Sequence, residues 1–152
     1  MPRLTKRALL LSAALAFAPA TARNIAYFSY DDLFARSDLI VIAEPATKTR
    51  DTREHKMLAE NTTPAIASIG VVTEFKSLLV LKGPKLQRFT LHHYRLAPTD
   101  GVVINGPDFK TYQPKEWGKS FLMFLIREHD GRYSPTAGQM DPILSIQEIS
   151  HL

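Results

Sequence analysis

The spacing of apolar residues changes several times along this chain, and each change marks an element. Ser29 stands just before Tyr30-Asp31-Asp32-Leu33. Its hydroxyl can cap the free amides of a helical turn, and both aspartates face the positive end of that turn's dipole. Phe28 and Leu33 flank the cap at the spacing of a hydrophobic staple, so a short helix ending near Ser37 is predicted. Leu39-Ile40-Val41-Ile42-Ala43 is a β-branched run bounded by Asp38 and Pro45, which reads as a buried strand. Residues 47–64 are dense in charge and poor in periodicity, and they read as a solvated excursion between strands.

Alternation returns over 66–81, with Ile69, Val71, Thr73, Phe75, Leu79 and Leu81 on one side and Glu74 and Lys76 on the other. A strand this long is expected to bend or bulge, at Gly70 or Ser77. Lys82-Gly83-Pro84 then turns the chain into a second strand over 86–96, making a hairpin. Residues 97–118 hold the turn signals Asp100-Gly101, Asn105-Gly106-Pro107 and Gln113-Pro114, which define a long irregular connection suited to a surface site. Ser120 to Ile126 shows no polar face and reads as a central strand covered on both sides. Asp130-Gly131 sets up a hairpin into Arg132-Tyr133-Ser134, whose pairing Pro135 limits. Ile143-Leu144-Ser145-Ile146 with Ile149 fits either a last strand or a short helix.

Five or six short strands with one short N-terminal helix give a mainly β domain, an antiparallel OB-like barrel. The chain is similar to a group of small exported bacterial proteins with an OB-fold-like barrel, related in architecture to netrin-like and metalloproteinase-inhibitor domains. The residues carrying the resemblance are Asp32-Leu33 with Ser37-Asp38-Leu39-Ile40-Val41-Ile42, Thr73-Glu74-Phe75 with Leu79-Val80-Leu81-Lys82-Gly83, and Trp117-Gly118-Lys119 with Phe121-Leu122-Met123-Phe124-Leu125 and Asp130-Gly131-Arg132-Tyr133. The resemblance implies a fold more than a function. Inhibitors of that architecture use an N-terminal cysteine and several disulfides, and this chain has no cysteine, so their activity is not carried over.

Residues 1–22 are of another kind. Arg3, Lys6 and Arg7 lead into an apolar run from Ala8 to Ala18, followed by Pro19 and Ala20-Thr21-Ala22. A basic start, an apolar run too short to span a bilayer and a small-residue cleavage site are the parts of a secretory signal peptide. The expected product is a periplasmic or secreted domain over residues 23–152, without a stable membrane anchor. This changes the meaning of the charge. The 152 residues carry 19 basic and 15 acidic groups, and losing three basic ones leaves 16 against 15. A near-neutral domain has little electrostatic pull on polyanions, so nucleic acid is not an expected partner despite the barrel. Without cysteine, the core alone must hold the fold.

Chemistry is sparse. His92-His93 could suggest a metal pair, but neighbours in a strand point to opposite faces, giving one ring packed inward and one solvated. No nucleotide, serine-hydrolase or metalloprotease motif is present, no thiol exists, and Asp100, Asp108, Asp130 and Asp141 beside glycine or proline are turn formers. No catalytic residue, metal ligand or cofactor is assigned. The leading expectation is an exported non-enzymatic module that binds a protein, peptide or small molecule through the 97–118 connection, with Tyr112, Lys115, Trp117 and Tyr94 as ligand-binding residues. Two alternatives stay open: a metal-dependent or hydrolytic enzyme using His92 or His93, and a structural subunit of a cell-envelope assembly.

Overall fold

The computed structural model describes residues 28–59, 66–98, 110–113, 118–140 and 142–149. Ser29 caps helix α1 (Tyr30–Arg36) in a reciprocal box: its hydroxyl accepts the Asp32 amide at 3.1 Å, and its own amide donates to Asp32 Oδ2 at 3.2 Å. Phe28 and Leu33 pack in one cluster with Ile40 and Phe124, as the staple spacing predicts. The Ser37 hydroxyl donates to the Leu33 carbonyl and ends the helix. The Asp38 amide then donates to the Leu125 carbonyl, which delivers the chain into β1 (Leu39–Pro45).

β1 is followed by β2 (Arg50–Ala59), β3 (Ile66–Lys82), β4 (Arg88–Leu96), β5 (Ser120–Arg127), β6 (Tyr133–Pro135) and β7 (Ile146–Ile149). The wall runs β1-β3-β4-β6-β5, and β5 pairs back onto β1 to close a five-stranded barrel compatible with an OB-like fold. One pairing departs from the expected antiparallel pattern, because β4 and β6 run parallel where Leu91 faces Tyr133. β2 and β7 lie outside the ring, on β3 and β5. The last segment is both of the forms its periodicity allows, a 3-10 turn over Pro142–Leu144 and then β7.

Inward side chains of every wall strand meet in one core. Leu39, Val41 and Ala43 of β1, Phe75 of β3, Phe89 and Leu91 of β4 and Met123 and Leu125 of β5 are all buried there. Phe75 is its hub, stacked 5.7 Å from Phe89 and edge-on to Tyr112 at 5.2 Å and to Phe121 at 6.3 Å. The outer faces of β1 and β5 are covered where Ile40 and Phe124 lie under α1. β5 is thus covered on both sides, as its unbroken apolar run requires.

Two expectations are corrected. Residues 50–59, read as loop, form β2, because its backbone pairs with β3 while its charged side chains stay at the surface. Leu79 and Leu81, read as inward, are each 53% exposed. Val41 faces Val80 while Ile40 faces Lys82, and Ala43 faces Ser77 while Ile42 faces Leu79. Leu81 and Leu78 are therefore bulge residues, and each inserted residue reverses the alternation that follows it. Gly83 closes the strand at φ +96°, where any Cβ would strike the Asp38 carbonyl.

Candidate functional site

Two adjacent residues of β4 organise opposite sides of the wall. His93 points inward and is completely buried, with its ring edge-on to Tyr112 at 5.6 Å. Its Nε2–H donates to the Lys110 carbonyl at 2.8 Å, which fixes the tautomer and leaves Nδ1 without a hydrogen-bond partner among the described residues. Burial pushes the imidazole down to about 4, against the opposing effect of the Lys110 bond and with a further lowering from His92.

His92 points outward, yet it is only 3% exposed, which corrects the expectation of a solvated ring. Side chains from three other segments enclose it. Nδ1 lies 2.9 Å from both oxygens of Glu128, in the β5–β6 hairpin. Nε2 lies 2.7 Å from Glu54 Oε2 of β2, off the direction of a hydrogen bond. Gln139 donates to Glu128 Oε1 at 2.6 Å, and Lys56 donates to Gln139 Oε1 at 3.2 Å while standing 4.2 Å above the Tyr94 ring.

Arg132 ties the carboxylates together. Its guanidinium donates to Glu54 Oε1 at 2.9 Å, and its Nε stands 2.6 Å from Asp130 Oδ2 and 3.3 Å from Glu128 Oε2. Burial acts to raise the Glu54 carboxyl, but the Arg132 hydrogen bond and the nearby His92 and Arg132 outweigh it and hold it below the ordinary range. Asp130 is also held low, chiefly because its carboxylate accepts the Arg132 backbone amide.

Local sequence explains how Glu54 arrives. Asp51 faces Val71 and His55 faces Ile69, so β2 carries extra residues around Thr52 and Glu54. Thr52 anchors this bulge by donating to the Gly70 carbonyl at 3.0 Å. A Cβ at position 70 would lie 2.6 Å from Thr52 Oγ1 and 2.9 Å from Glu54 Cβ, so only glycine lets the bulge settle onto β3. Gly70 in turn faces Tyr94, and Val72 faces His92.

These groups line an open cleft of about 420 Å³, with exposed His129 at its edge. The Glu54 and Asp130 side chains are 41% and 51% exposed and Arg132 is 24% exposed, so the two acids are more open to solvent than the guanidinium that joins them, and exposed Lys56 shares the rim. Among the described residues no group of three His, Asp or Glu side chains is spaced to hold a metal ion.

Of the four residues singled out from sequence, Tyr94 and Tyr112 are described, and they lie on opposite sides of the wall. Tyr94, 5% exposed, lines the cleft with its ring 5.3 Å from His92. Tyr112 lies across the wall in the core, at the inner side of a smaller cavity of about 200 Å³ at the barrel end, beside Pro45, Lys119 and Phe121. Lys115 and Trp117 lie outside the described residues, as does most of the 97–118 connection. Sequence reasoning missed Glu54, Glu128, Arg132 and Gln139. The one available signal was the Asp130-Gly131 turn, which places Glu128 and Arg132 on facing arms of a hairpin. No protein-family model matches the chain, and no curated protein matches it.

Proposed function

We propose that the protein is an exported, non-enzymatic binding module of the small OB-like barrel group, and that its ligand docks in the His92 cleft. The observation that carries this reading is the charge of the cleft: three carboxylates, Glu54, Glu128 and Asp130, line it against two cations, of which Arg132 is engaged by all three acids and Lys56 by Gln139. Such a surface suits a peptide or small molecule presenting an ammonium or guanidinium group. Its location agrees by analogy with OB barrels, which take ligands on the sheet face between flanking loops.

Chemical-shift mapping with lysine-, arginine- and glutamate-containing tripeptides tests the reading. Basic tripeptides should shift His92, Tyr94 and Asp130 resonances, and Asp130→Asn should weaken their binding about twofold to fivefold by removing one charge partner. Shifts confined to Tyr112 and Phe121 would move the site to the barrel end. A preference for the glutamate peptide would overturn the proposed ligand class.

A further inference from the structure

The far end of β3, away from Gly70 and the His92 cleft, presents apolar groups that the fold does not use. Leu78, Leu79 and Leu81 are 40%, 53% and 53% exposed, and Phe34 on α1 is 55% exposed. An unbroken pleat would bury alternate leucines, but the two bulges leave only Val80 facing the core and turn the others outward. Half-buried Ile42 of β1 faces Leu79 and extends the apolar strip. Lys82 connects it to the helix, with its ammonium 4.9 Å from the Phe34 ring and hydrogen-bonded to the Phe34 and Ala35 carbonyls.

Positive charge predominates around it. From residue 75 to residue 98 the sequence has no Asp or Glu, while Lys76, Lys82, Lys85 and Arg88 fall within or beside the strip. The acids on neighbouring elements are fewer: exposed Asp38 accepts the Arg127 amide, Asp31 is exposed on the first turn of α1, and Glu44 is buried facing Lys76. Exposed leucines flanked by lysine and arginine match an apolar layer beneath anionic groups. We infer that this end of β3 is a peripheral docking surface for an anionic lipid bilayer, with Leu79 and Leu81 entering the headgroup region and Lys76, Lys82, Lys85 and Arg88 meeting lipid phosphates. Two leucine side chains and four cations give a reversible, shallow contact.

Vesicle flotation tests this, using the chain recovered from the envelope of an expressing bacterium beside an L79S/L81S variant prepared in the same way. With vesicles of phosphatidylcholine containing one third phosphatidylglycerol, the native chain should float. The variant should partition at least about tenfold less, since several methylenes no longer enter the lipid. Phosphatidylcholine alone, or strong salt, should release most of the native chain. Serine at two exposed positions should leave the circular dichroism and thermal midpoint unchanged, which separates lost docking from lost folding. Equal flotation of the two proteins, or none by the native chain, would overturn the inference. So would a dimer of the native chain that the same variant splits, because the strip would then cover a second copy.

Discussion

Replacing His93 with glutamine should remove a large part of the protein's sensitivity to mild acid. The buried imidazole titrates at about 4 in the fold, against 6.5 for the free side chain. As pH falls below 6.5 the unfolded chain takes up a proton that the folded chain still refuses, so unfolding gains. Stability from this group is complete above pH 6.5 and is lost progressively as pH falls toward 4. At about 1.4 kcal/mol per unit, the loss reaches about 2 kcal/mol at pH 5 and about 3 kcal/mol near pH 4. Glutamine does not titrate, and its amide N–H can still serve the Lys110 carbonyl that His93 Nε2 now holds. Urea unfolding of both proteins at pH 7, 6 and 5 measures the effect. The stability advantage of the native chain over H93Q should shrink by about 2 kcal/mol across that range. Carboxylates such as Asp51 and Glu54 titrate in both proteins and cancel in the difference. Parallel pH profiles would refute the argument, because they would mean that position 93 takes up no more protons unfolded than folded.

Three further outcomes follow from close contacts and caps. Gly70→Ala should displace the Thr52–Glu54 bulge, costing about 1–3 kcal/mol in urea unfolding and weakening basic-tripeptide binding at the cleft. Gly83→Ala should cost at least about 2 kcal/mol by thermal or urea unfolding, because it combines a positive φ with a backbone collision at Asp38. Ser29→Ala should cost about 1 kcal/mol and fray α1, read as faster hydrogen exchange at the Asp32 and Leu33 amides.

Elements whose own residues dictate their form were legible in the sequence. The Ser29 box, the β-branched run of β1, the turn at Gly83 and the unbroken apolar run of β5 each carry their instructions locally. β2 does not, since Asp51-Thr52-Arg53-Glu54 lacks strand composition and becomes a strand because β3 offers backbone partners. The β3 bulges were half legible: irregularity near Ser77 was expected, but its reversal of the leucines depends on the register that β1 imposes. The cleft was the least legible part. Glu54, His92, Glu128, Arg132 and Gln139 are scattered along the chain, and only barrel closure with the added β2 makes them neighbours. His92 itself was visible, but the carboxylates that bury it were not.

The β1–β5 seam has a consequence for the order of folding. It joins Leu39 to Leu125 and Ala43 to Phe121, partners 86 and 78 positions apart, whereas the β3–β4 hairpin closes across one short turn. The hairpin can form as soon as its own residues are free, but the ring stays open until β5 is present. Until then Leu39-Ile40-Val41-Ile42-Ala43 is an uncapped apolar edge able to pair with a second chain. Four of these five residues end buried in the barrel wall, yet until β5 pairs with them they are an aggregation hazard.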